Sequence, residues 1–97
     1  MATREELERG MEPVPFQRID REGAVAHFLR STGSHPRVRP LIEAEVDKVI
    51  AELQVEERLG DQLWICKSRY IGPFAGHEGL GVVRHGAIVR YKGIIDY

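Results

Sequence analysis

The chain has a single cysteine, Cys66, so no disulfide can close within it and a reducing, cytoplasmic setting is the expectation. It has no apolar run near the ~18 residues that a membrane-spanning helix needs. Its opening, Met1 to Arg9, is rich in charge and has no apolar stretch of the kind a secretory signal carries. No membrane partner is therefore expected.

The familiar chemical signatures are missing as well. His77-Glu78 is followed by Gly79, Leu80 and then Gly81, where a zinc-binding His-Glu-x-x-His would place its second histidine. No Gly-Lys-Ser/Thr follows the glycine-rich stretch to make a phosphate loop, and no Gly-x-Ser-x-Gly marks a nucleophile elbow. There is no RRM, KH or zinc-finger pattern. A composite site from His77, Glu78 and His85 would need the 72–79 loop to fold onto the next turn. A Cys66–His77 pair would need a mid-strand cysteine to be reactive, whereas such a residue reads as a small buried hydrophobe. No cofactor and no metal are expected.

What is present is the make-up of one ordinary domain: 97 residues, 42% hydrophobic and 30% charged. The net charge of −1 conceals an asymmetry. Residues 1–62 carry nine Lys/Arg against thirteen Asp/Glu, a balance of −4, and residues 63–97 carry five against two, a balance of +3. The basic residues of the second part are Lys67, Arg69, Arg84, Arg90 and Lys92. The two halves offset each other within one fold, or the basic half meets an anionic partner.

Residues 1–18 read as an N-terminal arm or short helix, with Pro13 and Pro15 favouring extended backbone towards its end. A single α+β domain over 19–97 follows. Asp20 is the expected N-cap of a helix over about 20–31, with Ala24, Val25, Phe28 and Leu29 as its buried stripe and Gly33 as its left-handed stop. Gly33, Pro36 and Pro40 make 31–40 a connector, in which Arg37, Arg39 and His35 suggest at most an anion-binding loop. The second helix spans about 40–59. Its stripe is Ile42, Val46, Val49, Ile50 and Leu53, and Gly60 stops it. Its acids, Glu45 and Glu52 among them, read as a solvated face.

Three strands follow, at about 63–71, 80–84 and 87–95, forming an antiparallel sheet with the helices on one face. The first alternates poorly. The alternation does not decide which side meets the helices; burying the Trp64/Cys66 side would cover more area and leave Lys67 and Arg69 towards solvent. His85-Gly86 makes a two-residue hairpin turn. In that register Val82 pairs with Val89 and Leu80 with Tyr91. Leu80, Val82, Ala87, Val89 and Tyr91 then face the core, and Val83, Ile88, Arg90 and Lys92 the other side.

From these readings the favoured function is a small non-catalytic intracellular binding protein, an accessory or inhibitory module. It would dock on a larger protein or nucleoprotein through its basic sheet face and the 72–79 loop. The residues expected to carry this are Lys67, Arg69, Phe74, His77, Glu78, Val83, Ile88, Arg90 and Lys92. Aromatic, aliphatic and arginine side chains are the anchors that dominate interfaces, and an open strand edge also suits a homodimer. The alternative is a nucleic-acid-binding protein using the same basic face. A small enzyme with His77 and Glu78 in its active site ranks third.

Overall fold

In the computed structural model, residues 12–33, 35–69 and 76–96 are described. Strand β1 (Pro13–Arg18) leads into helix α1 (Arg21–Ser31), then helix α2 (Arg39–Leu53), then strands β2 (Gln62–Ser68), β3 (His77–Arg84) and β4 (Ala87–Asp96). Short 3-10 turns at Pro36–Val38 and Glu57–Leu59 flank α2. The fold is α+β, with two α-helices and a four-stranded antiparallel sheet in the order β1-β2-β3-β4. No helix among the described residues is long and apolar enough to cross a membrane.

The fourth strand is the first correction. Residues 13–18, read as the end of an arm, form the sheet edge beside β2, with Pro13 opposite Ser68 and Pro15 opposite Cys66. Prolines are tolerated on an edge because their missing N–H can face away from the ladder. The expected helix within 1–10 lies outside the described residues.

Asp20 caps α1 as expected, its side chain accepting a hydrogen bond from the Gly23 amide at 2.7 Å. Gly23 has a packing reason: a Cβ there would come within 2.8 Å of the Ile19 side chain. The helix ends at Gly33, whose φ of 63° is left-handed. The second helix stops sooner than expected. Gln54, at φ 50°, turns the chain out, and Gly60 closes the separate 3-10 turn instead.

Both predicted helical stripes meet the sheet. Ala24, Val25 and Phe28 from α1 and Val46, Val49 and Leu53 from α2 pack with Ile65, Leu80 and Val82. The helix-facing side of β2 is thus the Ile65 side, which decides between two faces that the sequence left open. Cys66 is also buried, on the opposite face. The β2 strand ends at Ser68, and β3 starts at His77, taking three residues of the segment read as loop.

The hairpin forms at His85-Gly86, both with positive φ. Arg84 pairs with Ala87 and Val83 with Ile88 as expected. Beyond that point the register shifts. Val82 pairs with Arg90 and Leu80 with Lys92, leaving Val89 as the extra residue of a β-bulge. A one-residue slip turns each later side chain to the other face. Arg90 and Lys92 therefore lie towards the helices, and Tyr91 lies on the far face opposite Gly81.

A second bulge follows beyond the Gly79–Gly93 pair, with Ile94 as its extra residue before Glu78 pairs with Ile95. There the backbones crowd: a Cβ on Gly79 would stand 2.1 Å from the Lys92 carbonyl oxygen. Backbone cannot swing aside as a flexible side chain can. Gly79→Ala is expected to destabilise the protein by about 3 kcal/mol or more, read as a lower urea midpoint. Gly86→Ala, with open space around its Cβ, should cost only the strain of its positive φ, about 1–2 kcal/mol.

Candidate functional site

The expected docking face was built on Lys67, Arg69, Arg90 and Lys92. The structure engages three of them with different partners within the fold. The Arg90 guanidinium donates to the last carbonyls of α2, Leu53 O at 2.5 Å and Gln54 O at 2.9 Å. Cations favour that end of a helix, where carbonyls lack helical partners. Arg90 also reaches Asp61, at 3.3 Å. Lys92 pairs with Glu52 of α2 at 3.2 Å. Both cations fasten the edge strand to the helix layer, because the bulge at Val89 turned them that way.

Asp61 is the centre of this arrangement, and the sequence reading passed it over. Its side chain is fully buried. One carboxylate oxygen accepts from Arg84 Nε at 2.5 Å. The other accepts from Arg84 Nη2 at 3.1 Å and from the Glu56 amide at 3.0 Å. Hydrogen bonding to the Arg84 guanidinium holds the Asp61 carboxyl below the usual carboxylate range, against a smaller opposing effect of desolvation.

Lys67 belongs to the helix-facing parity of β2. Its ammonium lies 3.5 Å from the centre of the Phe16 ring, a cation–π contact at the β1 edge. Arg69 is exposed just past the end of β2. Val83 is only 4% exposed, so it is a buried side chain in the described fold. Ile88 is half-buried. Phe74 lies outside the described residues.

His77 and Glu78 are neighbours on one strand, so they point to opposite faces. Glu78 is buried and bonds to His27 Nε2 on α1. His77 Nδ1 and the Tyr91 hydroxyl lie 2.8 Å apart on the far face. The strand thus does not bring the His77 and Glu78 side chains together on one face. His85 sits exposed in the hairpin turn, at the other end of β3 from both. Among the described residues, no three His, Cys, Asp or Glu side chains are grouped so as to hold a metal ion.

The far face of the sheet is floored by glycine. Gly81 leaves room for Cys66, whose Sγ would come within 2.6 Å of a Cβ there. The Tyr91 ring runs along the sheet, its hydroxyl 3.7 Å from where a Gly93 Cβ would stand. Burial is the main cause that pushes the Tyr91 hydroxyl upward, and burial pushes the Cys66 thiol up to about 11. A thiol so held is a poor nucleophile at neutral pH. The chain matches no protein-family model, no curated protein and no solved structure.

The β4 edge, by contrast, has no hydrogen-bonded strand beyond it among the described residues, although β1 curls close to β4. Among the described residues β4 pairs only with β3. Its ten residues contain no proline, whereas the opposite edge has two within six. Val89 is 42% exposed and Ile88, Ile94 and Ile95 are half-buried. Sequence reasoning had assigned Val89 to the core. Only the bulge, which no local pattern announced, puts it outside.

Two pH effects follow, of opposite sign. Because Asp61 is depressed in the folded state, its contribution is complete above the ordinary carboxylate range and fades as pH falls towards the folded value. Asp61→Asn should remove much of the acid sensitivity and lower the neutral-pH melting temperature by about 5–15 °C. For Cys66, raised when folded, stability is lost as pH climbs from the ordinary thiol value to about 11. Cys66→Ala should flatten that alkaline decline in a melting-temperature profile.

Proposed function

We propose that the protein is a small non-catalytic binding module that docks on a larger protein partner by pairing an extended segment of that partner with the β4 edge, which has no hydrogen-bonded strand beyond it among the described residues. One observation carries this reading: a ten-residue, proline-free edge strand flanked by exposed and half-exposed aliphatic side chains. Strand addition draws affinity from main-chain hydrogen bonds and selectivity from alternate side chains. Val89 and Ile88 supply the apolar contacts here.

The reading departs from a basic docking face because Arg90 and Lys92 are engaged with the helix layer. The same fact weakens the nucleic-acid alternative, to which Lys67 and Arg69 alone remain. A non-catalytic role draws support from the buried, upward-shifted thiol of Cys66 and from the opposed directions of His77 and Glu78. An accessory or inhibitory role in the cytoplasm fits such a module.

The test is a capture experiment from lysate at two salt concentrations, with and without nuclease. The expected result is a protein recovered at both salts, insensitive to nuclease, and reduced at least tenfold by Val89→Asp while the melting temperature stays within a few degrees. Recovery that vanishes with nuclease, or that Val89→Asp leaves intact, would overturn the reading.

A further inference from the structure

A concave surface lies at the end of the sheet away from the His77–Tyr91 pair. It is a cleft of about 660 Å³ where the β1–α1 turn, the end of α2 and the start of β2 come together. This size falls in the range of small-molecule sites. Its apolar lining is Ile19, Ile50, Val55 and Leu63, all half-buried beside the main core. Four aliphatic side chains are thus left partly wet in a concave surface.

The polar lining falls into two groups. Most of it is engaged: Asp20 accepts from the Gly23 amide, Arg21 is bound to Asp47, and Asp61 is held by Arg84. The oxygen of Gln62 accepts from the Trp64 indole at 3.0 Å. Arg18 and Glu57 differ. Both line the cleft, both are exposed, and neither side chain makes a hydrogen bond or ion pair among the described residues. They come from different segments, Arg18 from the end of β1 and Glu57 from the turn after α2. One unengaged cation and one unengaged anion therefore border a shared aliphatic floor.

We infer that this cleft binds a small apolar zwitterion, specifically a short aliphatic peptide with free termini. The terminal carboxylate sits on Arg18 and the terminal ammonium on Glu57, with branched side chains on Ile19, Ile50, Val55 and Leu63. An arginine fork suits a carboxylate. The aliphatic floor supplies non-directional affinity, and the two charges fix which way round the peptide lies. A ligand bearing one charge would leave the other rim residue as it is in the free protein.

The test uses the dipeptide Leu-Leu, its N-acetyl form and its C-terminal amide, followed by calorimetry and thermal shift on the whole chain. Leu-Leu is expected to bind saturably, and each blocked form at least about fivefold more weakly. Arg18→Gln should weaken Leu-Leu to a similar degree and abolish its advantage over the amide. Glu57→Gln should abolish its advantage over the acetylated form. Both positions are exposed, so the variants should melt within a few degrees of the parent. Absence of saturable binding up to 10 mM, indifference to blocking, or indifference to both substitutions would overturn the inference.

Discussion

The buried carboxylate of Asp61 is the constraint on which the rest of the molecule depends. Two charged residues from β3 and β4 and one backbone amide from the turn after α2 converge on it. Removing an ion of this kind from water is costly unless its partners are complete. Here Arg84 covers both oxygens and Arg90 extends the cluster to the last carbonyls of α2. The helix layer is thereby pinned to the hairpin by directional bonds as well as by apolar packing. The terminal carbonyls of α2, left without helical partners where Gln54 turns the chain out, are taken by a side chain from the sheet.

The charge asymmetry of the sequence acquires its meaning from this arrangement. The basic second half and the acidic first half meet inside the fold, through Arg84 and Arg90 on Asp61 and Lys92 on Glu52. Offset within the domain, not display to a partner, is what these three cations do. The helix surface carries its own mixed network, in which Arg21 and Arg39 share Glu22, Glu43 and Asp47. Exposed pairs of that sort add little stability each.

The helices were legible because their signals are local. Asp20 followed by Ala24, Val25 and Phe28 identifies a cap and a stripe within nine residues, and the 42–53 stripe repeats it. The His85-Gly86 turn was legible for the same reason. What could not be read depends on partners distant in sequence. Pro13–Arg18 becomes a strand only because β2, some fifty residues later, offers it an edge. The bulge at Val89 has no signature in the Ile88-Val89-Arg90 stretch. It decided the fate of Arg90, Lys92, Tyr91 and Val89 together, and with them most of the expected binding face. Asp61 was invisible as a hub since a lone aspartate after a glycine reads as a turn residue. Arg18 and Glu57 were passed over because their common cleft is made by the fold.

The chain path also sets an order of assembly. The β2–β3–β4 meander pairs neighbours in sequence, and its contacts close short loops. The pairing of β1 with β2 closes a loop that contains both helices. Such long-range pairings bear the larger entropy cost and come late when shorter closures are available. The first strand of the chain is thus the one placed to join the sheet last, sealing the helices onto a platform that the C-terminal third has already built.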